Sequence, residues 1–205
     1  MTGNQSNMMS AAENPAQRGR CTDLCGDPVF WFPMRVTYSR ELQVRDELER
    51  QGIEHFLPMK TVLCDEYGGQ ARHELVPAVA NLIFIRSTRD VIIGLKHSNA
   101  VLAPLRFMID RTSEDNRIMI VPDRQMENFM RVAAVADDRI VYLDEVQWVG
   151  KEGRRVRVTG GVFKGTEGVI RRVRRNKCVC VEIAGVVAVA IAFVPGALLE
   201  EIEGQ

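Results

Sequence analysis

The sequence has no excess of charge of either sign, no long apolar run and few histidines. Its 205 residues carry 27 basic and 27 acidic side chains, so strong non-specific binding of the whole molecule to a phosphate backbone is not expected. The longest apolar candidate, residues 183–194, is too short to span a membrane. We therefore predict a protein without a membrane segment.

Signals for secretion and for disulfide bonding are also missing. The first twenty residues contain no apolar core, so no signal peptide is predicted and the protein is expected in the cytoplasm. The five cysteines are an odd number, which fits a reducing compartment. Cys21 and Cys25 have no second pair of ligands at zinc spacing, so we predict neither a metal nor a cofactor.

Catalytic signatures are absent from the sequence as well. It contains no nucleophile elbow, no phosphate-binding P-loop and no paired carboxylates in a defined setting. The three histidines lie in unrelated segments. We predict that the chain is not an enzyme.

The N-terminal half alternates apolar strands with amphipathic helices. Residues 40–51 have helical spacing and stop at Gly52, residues 59–64 and 72–76 flank a hairpin turn, and residues 82–85 form a continuous apolar run typical of a central strand. The order β-α-β-hairpin-β-α-β-α predicts an α+β domain over residues 29–135. Residues 1–28 are polar and are predicted to be a disordered tail.

The C-terminal part reads as short strands separated by glycine-rich turns. Alternating apolar and basic residues at 155–159, followed by strands at 167–170 and 178–183, predict a small SH3-like barrel over residues 151–205. Asn176 and Lys177 are assigned to a turn, and residues 136–150, which lack periodicity, to a linker. Gly161 and Gly165 flank Phe163, and we expect this aromatic ring to point outward.

Each half of the chain contains a set of motif residues in a fixed order. In the C-terminal half they are Gly153, Val156, Val158, Gly161, Phe163, Lys164, Gly165, Gly168, Val169 and Val173. In the N-terminal half they are Trp31-Phe32-x-x-Arg35-Val36, Gly52-Ile53-x-x-Phe56-Leu57-Pro58, Asn81-Leu82-Ile83-Phe84-Ile85 and Val121-Pro122-Asp123. The first set resembles the KOW motif, and the second the first domain, of the NusG family of transcription elongation factors.

One departure from the family pattern is informative. The family usually has Phe-Pro-Gly-Tyr before its central strand, whereas this chain has Val79-Ala80-Asn81-Leu82. The RfaH-like branch also carries asparagine at the glycine position. The chain is therefore similar to specialised paralogues, and most of all to the UpxY-type antiterminators of capsular polysaccharide operons.

The resemblance implies a monomer that binds RNA polymerase and suppresses pausing or termination. It implies an apolar depression that docks onto the clamp helices of the largest polymerase subunit, for which the candidate residues are Trp31, Phe32, Leu82 and Phe84. It places Arg35 near non-template DNA and makes Phe163 the contact to a second partner, either a ribosomal protein or the Rho termination factor.

Basic residues follow one another in the C-terminal half. Arg171, Arg172, Arg174 and Arg175 are candidates for contact with nascent RNA phosphates. The alternatives are that these charges form a solvated barrel face and that the four apolar candidates are ordinary core. A second function class, a ribosome-associated or general RNA-binding KOW protein, also remains open at this point.

Overall fold

The computed structural model describes residues 28–65, 71–110, 115–135, 139–143, 153–173, 176–183 and 185–202. In chain order the elements of the N-terminal domain are β1 (Phe30–Val36), α1 (Glu41–Arg50), β2 (His55–Phe56), β3 (Met59–Asp65), β4 (Ala71–Pro77), β5 (Leu82–Ser87), α2 (Arg89–Ser98), β6 (Leu105–Phe107) and α3 (Asp123–Ala133). Those of the C-terminal domain are β7 (Ile140–Leu143), β8 (Arg155–Val158), β9 (Glu167–Val173), β10 (Asn176–Ile183), β11 (Val187–Ala192), a 3-10 helix (Gly196–Leu198) and β12 (Leu199–Glu201).

The N-terminal sheet has the strand order β2-β5-β1-β6, and its paired strands are antiparallel. The predicted central strand is confirmed, since β5 lies between β2 and β1. A proline within a strand usually marks an edge strand or a bulge, but β1, which contains Pro33, pairs on both sides. Pro33 has no N–H, and in an antiparallel strand the N–H and the C=O of one residue face the same neighbouring strand. The Pro33 carbonyl accepts from Met108 on the side of β6, where the regular pairing has already ended at Phe107. The missing N–H therefore costs no hydrogen bond of the regular pairing.

Local signals account for the ends of the helices. Gly52, at φ +68°, adopts the left-handed conformation that ends α1. Thr88 caps α2 by accepting a hydrogen bond from the backbone N–H of Val91. Asn81, at φ +60°, occupies a backbone conformation that glycine and asparagine tolerate best, and its N–H donates to the buried carboxylate of Glu41.

The predicted hairpin is confirmed as the ribbon β3–β4, which is a separate two-stranded sheet. Its predicted turn at residues 67–70 lies outside the described residues. Leu63 and Leu75 are both exposed on this ribbon.

The C-terminal sheet has six strands in the order β12-β8-β9-β10-β11-β7. The assignment of residues 136–150 to a linker is wrong in part, because residues 140–143 form β7 and pair with β11. The sequence around Tyr142 shows little alternation of apolar and polar residues, because this edge strand is only half-buried. Asn176 and Lys177 do not form a turn either, since both lie in β10 and pair with Val173 and Arg172 of β9.

Two apolar clusters fill the N-terminal domain, one on each face of its sheet. On one face α1 and α2 cover Phe32, Met34, Ile83 and Ile85. On the other face α3 covers Trp31, Leu82 and Phe84. Of the predicted tail at residues 1–28, residues 1–27 lie outside the described residues.

The first cluster generates a stability prediction. Leu48 of α1 is fully buried, whereas Leu63 on the ribbon is 61% exposed. Leu48→Ala should lower the free energy of unfolding by about 2–5 kcal/mol, because it leaves a cavity in the core. The same substitution at Leu63 should change it by less than about 0.5 kcal/mol. Denaturant unfolding of both variants checks this, and equal losses would contradict the assignment of the core.

Candidate functional site at the domain interface

The alternation of strand side chains divides the four residues that were predicted to bind polymerase. Trp31, Leu82 and Phe84 lie on the face of the sheet that meets α3. Phe32 is on the opposite face, under α1 and α2, because successive residues of β1 point to opposite sides. The expectation that Phe32 shares one depression with the other three is therefore wrong.

None of these four side chains is exposed in the structure. The rings of Phe84 and Phe129 are 5.7 Å apart, and the rings of Phe56 and Phe129 are 6.2 Å apart in an edge-to-face arrangement. Met126 and Phe129 of α3 are both fully buried. The apolar face of the N-terminal sheet is thus covered first by α3.

The C-terminal sheet covers α3 from its other side. Residues of β10 and β11, among them Val181, Ile183 and Val187, belong to the same buried cluster as Trp31 and Phe129. The helix consequently lies between two sheets that belong to different domains, with Met126, Phe129 and Val132 buried. We call this contact, formed by α3 with β9, β10 and β11, the domain interface.

Asn128 of α3 recognises the backbone of Glu167 at the start of β9. Its side-chain oxygen accepts from the Glu167 N–H at 2.9 Å, and its amide nitrogen donates to the Glu167 carbonyl. Both backbone groups of one residue are therefore paired by one side chain from the other domain. Such a paired contact fixes the register of the two domains as well as adding to their attraction.

The carboxylate of Glu167 joins charges from both domains. It accepts from Arg124 of α3 at 2.9 Å and from Arg157 of β8 at 2.7 Å. The hydrogen bond from Arg157, together with the charge and hydrogen bond of Arg124, holds the pKa of Glu167 below its ordinary value, although partial burial opposes this. Glu167 is therefore ionised in the docked structure at neutral pH.

Further polar contacts surround this centre. Arg131 donates to the carbonyl of Gly165 at 2.9 Å, and Gln125 donates to the carbonyl of Glu182 at 2.9 Å. A cleft of about 700 Å³ lies between these groups. The interface thus has an apolar centre and a polar rim, the arrangement typical of protein–protein interfaces.

Phe163 does not point outward, and the expectation that it is exposed is wrong. It is 3% exposed and packs in the interface cluster, with the guanidinium of Arg139 at 5.4 Å from its ring centroid. Gly161 and Gly165 do take positive φ angles of +75° and +84°, as the turn requires. The turn presents Val162 to solvent, and the exposed aromatic residue of the described C-terminal domain is Phe193.

The predicted nucleic-acid contacts are not all available. Arg35 and Arg172 are exposed, but Arg171 is largely covered and forms an ion pair with Glu182 at 3.2 Å. Arg174 and Arg175 lie outside the described residues. Two further arginines of the C-terminal domain, Arg154 and Arg157, form ion pairs with Glu201 and Glu167.

The described residues include no group of three His, Cys, Asp or Glu side chains placed to hold a metal ion. Cys178 and Cys180 are buried in β10, and burial raises the pKa of the Cys180 thiol to about 11. In the same part of the chain, no helix is long and apolar enough to cross a membrane.

Residues 30–130, just under half of the chain, match the family described as "Transcription termination factor nusG". The N-terminal domain is a NusG-family domain. Among solved structures, the chain is similar to one on domain interaction in Thermotoga maritima NusG, with 20% identity, a TM-score of 0.41, and coverage of 85% of this chain and 98% of that one. It also matches a crystal structure of the MjSpt4:Spt5 complex in conformation B, with 12% identity, a TM-score of 0.24 and the same coverage. No curated protein matches the sequence.

The contacts of α3 with the C-terminal domain were missed at the sequence level. The helical stripe Met126, Phe129 and Met130 predicts one buried face, and in the structure Met126 and Phe129 are fully buried while Met130 is partly buried against the same cluster. Gln125, Asn128 and Val132 form a second stripe at spacings of three and four residues. This second stripe was the available signal, but its polar members gave no reason to expect a second partner.

Burial of Phe163 predicts a structural role for this residue. Phe163→Ala should lower the free energy of unfolding by about 3–5 kcal/mol, as expected for truncation of a buried aromatic ring. Phe193→Ala provides the matched control, because Phe193 is 67% exposed and should cost less than about 0.5 kcal/mol. Thermal or denaturant unfolding measures both values, and a neutral Phe163→Ala would contradict the buried placement.

The lowered pKa of Glu167 predicts how domain docking depends on pH. A carboxyl whose pKa is depressed in the folded state contributes stability above its unfolded pKa and loses it as pH falls through its folded pKa. At pH 7 the free energy of unfolding of the wild-type chain should therefore be higher than that of Glu167→Gln. This difference between the two chains, measured by denaturant unfolding, should shrink as the pH is lowered. Glu49→Gln, on the exposed face of α1, is the control. A difference that stays constant down to pH 2 would argue against the ion pairs.

Proposed function

We propose that this protein is a non-catalytic transcription elongation and antitermination factor that binds RNA polymerase through its N-terminal domain. The match of residues 30–130 to the NusG family carries the proposal. The bound surface would be the apolar face built on Trp31, Leu82 and Phe84 together with α3. On the polymerase, the proposed binding partner of this face is the clamp of the largest subunit.

The composition of this face supports a role in binding. Met108, Met119 and Met130 are partly buried against the cluster that also includes Phe56 and Phe129. Methionine side chains are flexible and polarisable, so they adapt to surfaces of different shape. A face of this kind can exchange one protein partner for another more readily than a rigid core can.

Binding through this face requires that the C-terminal domain leaves it. The form in which the C-terminal domain covers the face therefore competes with polymerase. The apparent affinity for polymerase is the intrinsic affinity multiplied by the fraction of molecules in which the face is free. The factor then acts on polymerase by population shift, because a ligand that contacts the closed clamp disfavours the open, paused state. A bias of about 1.4 kcal/mol changes that ratio about tenfold.

We assign the protein to the specialised branch of the family that serves capsular polysaccharide operons. The support for this is the segment Val79-Ala80-Asn81-Leu82, in which asparagine replaces the usual glycine. The left-handed backbone at Asn81 is compatible with either residue, so the replacement leaves the turn before β5 intact.

The C-terminal domain is the proposed adaptor to a second partner, a ribosomal protein or Rho. Since Phe163 lies in the interface, it can reach such a partner after undocking, whereas Phe193 and Val162 are accessible in the docked form. Exposed Arg35 and Arg172 are the remaining candidates for contact with non-template DNA or nascent RNA.

Transcription past a terminator on the leader template of the protein's own operon tests the function. We expect added protein to increase readthrough and to co-purify with polymerase after nuclease treatment. The double variant Asn128→Ala, Glu167→Gln should bind polymerase several-fold more tightly than the wild type, because less free energy is needed to undock it. Glu49→Gln is again the control.

Two results would argue against the proposal. One is an absence of polymerase binding by both the wild-type chain and the double variant. The other is an association that is lost on nuclease treatment and follows ribosomal particles instead, which would favour an RNA-binding protein. Val132→Asp in the double variant should abolish binding if the α3 face that the C-terminal domain covers makes the contact, provided that its unfolding midpoint is retained.

A further inference from the structure

Three methionines are only partly buried where they pack against the cluster at the domain interface. They are Met108, Met119 and Met130, all of which belong to the N-terminal domain. The Met119 N–H donates to the Met108 carbonyl at 2.9 Å, so these two residues lie on adjacent extended segments. Their partial exposure leaves thioether groups beside the interface within reach of small solutes.

Met119 makes a contact that crosses from one domain to the other. Its ε-methyl group lies 3.2 Å from the position that a Cβ atom would take at Gly185, in the turn between β10 and β11. Gly185 is exposed, so this contact lies at the edge of the interface and not in its centre. The Met119 side chain therefore contributes to the apolar contact between the domains while part of it remains in solvent.

Oxidation of a thioether converts an apolar side chain into a polar one. Hydrogen peroxide transfers an oxygen atom to the sulfur: the O–O bond breaks, an S–O bond forms, the sulfur is oxidised and the peroxide is reduced to water. Holding the resulting sulfoxide against an apolar cluster costs free energy unless it gains a hydrogen bond. Oxidation at Met119 therefore favours the arrangement in which this side chain is fully in water.

The cysteines among the described residues are poor competitors for the oxidant. A cysteine reacts as its thiolate, and the hydrogen bond from Cys64 to the carboxylate of Glu74 raises the pKa of the Cys64 thiol. Cys178 and Cys180 are buried, and burial raises the pKa of both thiols. Within the described part of the chain, the side chain best placed to make the interface sensitive to peroxide is a methionine.

We propose that Met119 is an oxidation site for hydrogen peroxide and that its sulfoxide releases the C-terminal domain from α3. An enzyme of the class that reduces methionine sulfoxide would restore the docked form. Release also uncovers the α3 face, so the oxidised chain would bind polymerase more readily. This last step alone rests on the proposed function.

Amide hydrogen exchange of the full chain, followed by NMR without polymerase, tests the site. The Glu167 N–H donates to the Asn128 side chain across the interface at 2.9 Å, so its exchange rate reports docking. Limited treatment with peroxide should raise this rate about fivefold or more, the lower end of typical coupling between two sites. The Ile170 N–H donates to the Arg154 carbonyl within the C-terminal domain, and its exchange should not change because that domain stays folded.

Three variants assign the effect to one side chain. Met119→Leu keeps an apolar side chain without a thioether, so it should dock normally and lose the response to peroxide. Met119→Gln is polar, like the sulfoxide, and should raise the exchange rate at Glu167 without peroxide. Met130→Leu removes another partly buried methionine and, as the control, should respond like the wild type. Peptide mass spectrometry should find the added oxygen on Met119 before the fully buried Met34.

Several results would overturn the inference. They are an unchanged exchange rate at Glu167 when Met119 carries the sulfoxide, a Met119→Leu chain that still responds, a Met119→Gln chain that exchanges like the wild type, and a response lost in Met130→Leu instead. Oxidation of Met34 before Met119 would also overturn it. So would an equal rise at Ile170, because that would indicate unfolding of the C-terminal domain and not its release. None of these measurements involves polymerase, so their failure is distinguishable from failure of the proposed function.

Discussion

The docking of one helix against two sheets is the constraint on which the rest of this structure depends. α3 contributes Met126 and Phe129 to the face of the N-terminal sheet, while Asn128 on the same helix pairs with the backbone of Glu167 in the C-terminal domain. Each domain therefore completes its apolar burial with the same eleven-residue segment. The position of the C-terminal domain follows from this shared helix.

The character of the interface is intermediate between a permanent core and a transient contact. Its centre is apolar, which favours lasting association. Its rim relies on the Glu167 carboxylate and on single side chains that donate to backbone carbonyls, each of which water can replace. An interface of this composition can be stable on its own and still yield to a partner that covers the same apolar surface.

Much of the N-terminal fold could be predicted from the sequence, because its elements are specified by short-range sequence signals. The hairpin β3–β4, the central strand β5, the cap at Thr88 and the stop at Gly52 each depend on residues close together in the chain. The errors concern contacts between distant segments. Flanking glycines specify a turn at Phe163 but do not determine the direction of its ring, which α3 and the C-terminal sheet decide. Similarly, β7 has no clear period because its pairing with β11 is an edge contact.

The place of β7 has a consequence for how the chain can be divided. β11 is buried along its whole length, and β7 occupies the outer side of its backbone. A fragment that began at residue 151, where the sequence pattern puts the boundary, would leave β11 as an apolar edge strand with unpaired N–H and C=O groups. Such edges recruit other strands, so that fragment would tend to aggregate even though each of its remaining strands is intact.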